Sequence, residues 1–306
     1  MSYLLLVIGF ILLIKGADFF VDGATFIANK FKIPPIVIGM TIVAIGTSLP
    51  EIAISVLASF KGSNGMAIGN ILGSNILNIC LVLGLVACFS AVPVKKQTIK
   101  IDIPFLIILE TILLVLGLIG GSLSRLDGVI LCVLFIGFTF YIIKSSKGQP
   151  AEEIEAKDLK VWQVILYLVG GCVAIKFGGD FIVDSATIIA KQFGMSDNLI
   201  GLTIVALGTS LPELVTSVVA AHKGQVDLAL GNVIGSDIFN ILIALMLSAI
   251  VNPLTYTFEN IVDNIVAILI AIFTFIFACT DKQIKKLEGV SLLLIYVVYA
   301  VYIFLR

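Results

Sequence analysis

Charge is what this sequence has least of. Asp, Glu, Lys and Arg together supply 13% of its 306 residues, against about a quarter in a soluble domain. A water-soluble globular fold is thereby excluded. The net charge of −1 offers no basic field for nucleic acid. Histidine occurs once, at His222, where the end of an apolar run makes it an interfacial residue rather than a proton-coupling group. The five cysteines, Cys80, Cys88, Cys132, Cys172 and Cys279, all lie in apolar runs and form no CxxC. They read as buried thiols, not disulfides or thiolate ligands. HExxH and GxSxG are absent, and Gly178-Gly179-Asp180 lacks the spacing of an aspartyl-protease site. Nothing points to an enzyme or a bound cofactor.

What is present is apolar length. Hydrophobic residues make up 59% of the chain, and the mean hydropathy is +1.17. A helix must run about 20 residues to cross a bilayer core of roughly 30 Å. Ten segments qualify: 3–28, 34–60, 66–90, 101–121, 127–145, 161–190, 196–222, 227–251, 259–280 and 287–305. The first has no positive residue before it and no small-x-small cleavage site, so it reads as a membrane helix, not a signal peptide. Trp162 and the scattered tyrosines read as interface anchors. The longest connection, 146–160, mixes Lys147, Glu152, Glu153, Glu155, Lys157 and Lys160, a solvated linker with no room for a regulatory module.

That linker divides two halves that repeat. A constant offset of 162 residues takes Asp18 to Asp180, Asp22 to Asp184, Gly39 to Gly201, Glu51 to Glu213, Lys61 to Lys223, Asn70 to Asn232, Ser74 to Ser236 and Asn78 to Asn240. Five helices per half is an odd number, so the second half enters the membrane inverted. The expected fold is an all-α membrane protein of ten transmembrane helices in two inverted five-helix repeats, 1–145 and 161–306, with helices 2 and 7 broken. Loops after helices 1, 3, 5, 7 and 9 hold thirteen lysines, and the opposite side holds Lys61, Arg125, Lys191 and Arg306. The positive-inside rule then places the 146–160 linker in the cytoplasm and both termini outside a cell membrane.

Polar residues inside such spans are costly unless they serve a purpose. Gly46-Thr47-Ser48-Leu49-Pro50-Glu51 recurs unchanged as Gly208-Thr209-Ser210-Leu211-Pro212-Glu213. Each proline removes an N–H and clashes with the carbonyl four residues back, at Gly46 or Gly208. The helix should break there and free the carbonyls of about 44–47 and 206–209. Glu51 lies four residues from Thr47 and three from Ser48, so one face gathers carboxylate, hydroxyl and carbonyl oxygens. A second patch spaces Asn70, Ser74 and Asn78 at i, i+4 and i+8, and Asn232, Ser236 and Asn240 likewise. Helix–helix hydrogen bonding is the plainer role for any one of these hydroxyls and amides. Together they are hard oxygens, suited to Ca²⁺, Mg²⁺ or Na⁺ rather than zinc or copper. A flexible ring favours calcium, and two carboxylates balance one Ca²⁺ or two Na⁺. Asp18, Asp22, Asp180 and Asp184 read as local ion-pair partners, with Lys15 three residues before Asp18 and Lys176 four before Asp180.

These paired motifs resemble those of the calcium/cation antiporters, and among them the sodium/calcium exchangers. The resemblance spans essentially the whole chain. It implies two alpha-repeat motifs, 39–78 and 201–240, whose second, third, seventh and eighth helices enclose the ions. Position by position, it implies that Glu51 and Glu213, with the Thr47 and Thr209 carbonyls, are calcium ligands. Ser48, Ser74, Ser210 and Ser236, with the Ala44 and Ala206 carbonyls, would be sodium ligands, and Asn78 and Asn240 the central pair. Many such exchangers carry an aspartate at one central position, whereas both are neutral here. Asp237 is an extra acid nearby, either a ligand or a pore-rim or hydrogen-bonding group. The implied activity is Na⁺ for Ca²⁺ antiport by alternating access, with the bilayer and the two ions as the only partners and no oligomer required. Calcium–proton or potassium-dependent exchange, or a cation channel, would use the same ligands.

Overall fold

The computed structural model describes residues 2–62, 64–146, 157, 159–195, 204 and 206–305. The expected linker 146–160 and the start of the expected seventh helix, at 196–205, lie mostly outside these described residues.

Among the described residues the chain is helical almost throughout. We number the helices α1 Ser2–Phe31, α2 Pro35–Thr47, α3 Leu49–Phe60, α4 Gly65–Phe89, α5 Thr98–Gly120, α6 Arg125–Ser146, α7 Val161–Gln192, α8 Ala206–Thr209, α9 Leu211–His222, α10 Val226–Val251, α11 Phe258–Asp281 and α12 Lys286–Leu305. Eight are long and apolar enough to cross a membrane, and α2 with α3 forms a ninth span bent by 49°. The chain is a multi-pass membrane protein. Helix limits follow local chemistry. Thr257 accepts from the Asn260 N–H to cap α11, and Asn260 Oδ1 accepts from the Thr257 N–H in return. Asp127 closes the start of α6 by accepting from Ser124 N at 2.7 Å. Gly121, at φ +62, ends α5 in the left-handed region that a side chain disfavours.

Burial ranks the spans. In α4 and α10, 78% and 83% of the apolar window is buried inside the protein, against 22% in α6 and α7 and 17% in α12. The first two form the centre, and the outer helices turn large apolar side chains such as Phe140, Ile136 and Val298 outward, as lipid requires. Among the described residues five π-helical turns widen the ladder, three of them at Gly39–Val43 in α2, Asn78–Leu83 in α4 and Asn240–Leu245 in α10. Such turns concentrate at functional sites, and the last two begin on the paired asparagines.

Among the described residues four two-residue strands, which the all-helical expectation omitted, tie the loops. Strand β1 (Val92–Pro93) pairs antiparallel with β4 (Gln283–Ile284), and β2 (Ser122–Leu123) with β3 (Leu254–Thr255). Each pair joins one half of the chain to the other.

Helix α1 packs closely along α7. A Cβ on Gly16 would lie 2.9 Å from the Gly171 carbonyl, so only glycine permits this approach. Local pairing was expected for the aspartates of these helices. Lys176 does pair with Asp180, but the first helix differs. Lys223, just past α9, reaches Asp18 and Asp22 at 2.6 Å each, and Lys157 reaches Asp22 at 2.7 Å. Asp22 is largely buried and takes two ammonium groups from elsewhere in the fold, while Lys15 still acts on Asp18 through its charge. The Lys157 ammonium is held above its usual pKa, chiefly by its hydrogen bond to Asp22.

Candidate functional site

The bend between α2 and α3 makes the site. Ser48 leaves helical geometry at φ −83, ψ 3, and α3 restarts with Pro50 in its first turn. Ser210 repeats this at φ −95, ψ 7 between α8 and α9. A proline in a first turn has no intrahelical N–H to lose, so each motif restarts a helix and sets its glutamate at the new N-terminus. That end carries positive partial charge, which favours a carboxylate. Glu51 and Glu213 are both 0% exposed.

The freed carbonyls were expected more widely than they occur. The Ala44 carbonyl accepts the Ser48 N–H at 3.0 Å and the Thr47 hydroxyl at 3.3 Å. The Gly46 carbonyl accepts the Cys172 thiol at 3.4 Å. Hydroxyl and thiol donors reclaim the acceptors that proline orphans. The expected Ala44 ligand is therefore engaged within its own helix in this conformation. Ala206 begins α8, in the equivalent place.

The two halves meet through these motifs. Ser48 Oγ donates to Glu213 Oε1 at 3.0 Å, and the Ser74 and Ser210 hydroxyls lie 3.0 Å apart. The Thr47 hydroxyl has a single proton to share among the Val43 and Ala44 carbonyls and Asn232 Oδ1, which lies 3.1 Å from Oγ1. Asn78 Nδ2 donates to Asp237 Oδ1 and Asn240 Nδ2 to Asn75 Oδ1, each at 3.0 Å. Thr47, Ser48, Ser74, Ser210, Ser236, Asn78, Asn240 and Asp237 are all buried. Thr209 is only partly buried and lines a cavity of about 470 Å³ with Pro50, Gly208, Pro212, Asp180 and Asp184.

Asn70 and Asn232 serve a different purpose. Asn70 Nδ2 reaches the Ser55 hydroxyl at 3.0 Å and the Glu51 carbonyl at 3.4 Å. Asn232 Nδ2 reaches Ser217 at 2.9 Å and the Glu213 carbonyl at 3.5 Å. Both brace the helix that carries the glutamate.

The chemistry rests on oxygens that nothing satisfies. Both carboxylate oxygens of Glu51, Oε2 of Glu213, Oδ2 of Asp237, Oδ1 of Asn78 and Asn240 and Oγ of Ser236 are buried without a hydrogen-bond partner. A buried acceptor left unmade costs about 1–3 kcal/mol, more when charged. Seven on adjoining motifs call for a cation. Among the described residues no three His, Cys, Asp or Glu converge. The donor set is therefore the two glutamate carboxylates with amides and hydroxyls, which suits hard cations.

Sequence reasoning passed over Glu110, 2% exposed in α5. Asn75 and Asn264 donate to its two oxygens at 2.9 and 2.7 Å. A lone acid inside the apolar run 101–121 was the available signal.

Comparison with known proteins agrees with this geometry. The family model described as sodium/calcium exchanger protein matches residues 1–144 and 163–305. CaxA of Alkalimonas amylolytica is 44% identical, over 80% of this chain and 79% of that protein. The sodium/calcium exchanger MaX1 of Methanosarcina acetivorans is 34% identical, over 99% of this chain and 98% of its own. A solved structure of the sodium-calcium exchanger NCX_Mj, soaked with zero Na⁺ and Ca²⁺, superposes with a TM-score of 0.88 at 35% identity, covering 99% of this chain and 98% of that one. Two broken glutamate motifs, a matching family model over both halves and a matching fold over nearly all the chain lead to one conclusion: the chain belongs to the sodium/calcium exchanger protein family.

Proposed function

We propose that the chain exchanges Na⁺ for Ca²⁺ across a cell membrane by alternating access. The observation that carries this reading is the burial of Glu51 and Glu213 with three of their four oxygens unpartnered. Two carboxylates neutralise one Ca²⁺ or two Na⁺, so the loads compete for one ligand set. Glu51, Glu213 and the Thr47 and Thr209 carbonyls form the calcium site. Ser48, Ser74, Ser210 and Ser236, with the Ala44 and Ala206 carbonyls, add sodium ligands beside Asn78 and Asn240. Sodium binding requires the Ala44 carbonyl to release the Thr47 hydroxyl, whose proton has the Val43 carbonyl and Asn232 Oδ1 as other acceptors at 3.1 Å each.

Two inverted five-helix repeats, 1–145 and 161–306, account for the loop pairings. Strands β1 and β4 both lie beside odd-numbered loops, after the third and ninth spans, and β2 and β3 after the fourth and eighth. Lys95, after the third span, pairs at 2.7 Å with Asp227, after the seventh. The lysine count puts this side and the 146–160 linker in the cytoplasm, and both termini outside.

The two ends of the site are unequal, as alternating access demands. Lys223 ties α1 to the end of α9 through Asp18 and Asp22. The repeat-related residues are Lys61, Asp180 and Asp184, and here Lys61 and Asp184 are exposed. The cavity of about 470 Å³ opens along Asp180 and Asp184 toward Thr209. In this conformation the cytoplasmic end is latched and the outer end open, with α1 and α7 as the mobile pair. Lys223→Ala should raise amide hydrogen exchange at the cytoplasmic ends of α1 and α9 but not at their far ends. Unchanged exchange would rule out the latch.

The function is tested in proteoliposomes. Calcium uptake should require an opposing Na⁺ gradient. Uptake driven by a pH gradient without Na⁺, dependence on K⁺, or flux with no counter-ion would each overturn the proposal in favour of proton coupling, potassium coupling or a channel.

A further inference from the structure

The two central asparagines are held alike by opposite halves. Asn78 Nδ2 donates to Asp237 Oδ1, and Asn240 Nδ2 to Asn75 Oδ1, both at 3.0 Å. Asn75 and Asp237 occupy the same place in the repeat, 162 residues apart, yet one is an amide and the other a carboxylate. Behind Asn75 stands Glu110, 2% exposed, whose Oε1 accepts Asn75 Nδ2 at 2.9 Å. The repeat offset of 162 from Glu110 leads to Ile272, so the second half has no counterpart there. Each half thus sets one carboxylate behind the other half's central amide. Asp237 does so directly, and Glu110 does so through Asn75.

An amide has a donor end and an acceptor end, whereas a carboxylate only accepts. With Glu110 accepting its Nδ2, Asn75 must turn Oδ1 toward Asn240. Asn240 must answer with Nδ2, which leaves its own Oδ1 buried without a partner, as Asn78 Oδ1 also is. The far side of Glu110 is fixed as well. Its Oε2 accepts Asn264 Nδ2 at 2.7 Å, and Asn264 Oδ1 accepts the Tyr256 hydroxyl at 2.6 Å. Every donor around Glu110 points at it, so the sense of the chain is set by its charge.

We infer that Glu110 is a positioning residue for the ion site: through Asn75 it fixes the Asn240 amide with its oxygen free for the cation. The inference rests on the exchange reading above. Both central positions are neutral in this chain, and the acidity that orients them stands one layer behind. A neutral side chain at 110 removes that bias. In Glu110→Gln, the new amide N–H competes with Asn75 Nδ2, both being donors. The amide chain can then reverse, which turns the Asn240 N–H toward the ion.

The test is calcium titration of the purified full chain by isothermal titration calorimetry, with thermal unfolding alongside. Glu110→Gln should weaken calcium binding at least about tenfold, the scale of one hydrogen bond to a charged group. Adding Asn75→Asp to that variant gives the first half the arrangement found around Asp237, and affinity should return to within about threefold of the parent. A merely structural role for Glu110 would not produce that recovery. A loss below about threefold in Glu110→Gln, or a double variant as weak as the single one, overturns the inference. If the single variant fails to fold, the double variant decides alone, with parent-like affinity supporting and about a tenfold loss refuting. A parent chain that binds no calcium refutes the exchange reading itself.

Discussion

Glu213→Gln and Glu51→Gln should each abolish sodium-driven calcium uptake, by about a hundredfold or more, while leaving the protein at least as stable as the parent. The two halves of this expectation have one cause. Both side chains are 0% exposed, and three of their four oxygens have no partner. Such burial penalises folding of the ion-free protein. Glutamine keeps the shape and removes the charge, which relieves that penalty. It also removes half of the charge that balances a divalent ion and one of the oxygens that would bind it. Uptake in proteoliposomes and the unfolding temperature without ions measure the two effects. Retained transport in either variant would refute the ligand assignment. A variant both inactive and much less stable would point instead to a packing role.

Gly231→Ala should have the largest effect on folding, destabilising the protein by about 3 kcal/mol or preventing its accumulation. A Cβ at this position would stand 2.3 Å from the Ile36 carbonyl and 3.0 Å from the Met40 N–H. Both obstacles are backbone of α2, so no side chain can swing aside. From the other helix, a Cβ on Gly39 would meet the Leu228 carbonyl at 2.4 Å. Helices α2 and α10 therefore touch backbone to backbone, as small residues allow in membranes. This contact joins the first half to the second just before the bend at Ser48. The control is Gly137→Ala in α6, where nothing lies within 4 Å and helix propensity alone favours alanine by up to about 1 kcal/mol. Equal stability of the two variants would contradict the close approach.

The sequence carried most of the architecture because bilayer spans are long and uniformly apolar. Described helix limits agree with the expected spans within about four residues, as for α11 at Phe258–Asp281 against 259–280. The breaks fell where proline required, although Ser48 and Ser210 take the non-helical geometry and Pro50 and Pro212 restart the helix. The constant repeat offset brought forward the candidate residues in pairs, several of which are buried in both halves: Glu51 with Glu213, Ser48 with Ser210 and Asn78 with Asn240.

What stayed hidden depends on contacts between distant parts of the chain. Lys15 lies beside Asp18 in sequence, yet Lys223 makes the ion pair, 205 residues away. No periodicity announces such a contact. The offset links Lys61 to Lys223 but does not say which is engaged, since that depends on the conformation. The reclaimed Ala44 carbonyl follows from the rotamer of the Thr47 hydroxyl, which a sequence does not fix. Glu110 has no repeat partner, so the symmetry that exposed Glu51 and Glu213 passed it by.

The central claim is that one divalent ion and sodium compete for the oxygens between Glu51 and Glu213. Crystals of the full chain soaked in strontium, as a dense substitute for calcium, and then in rising sodium test this directly. The account predicts a single strong anomalous peak within coordination distance of both carboxylates, fading as sodium rises. A peak elsewhere, or one that persists undiminished at saturating sodium, would contradict it.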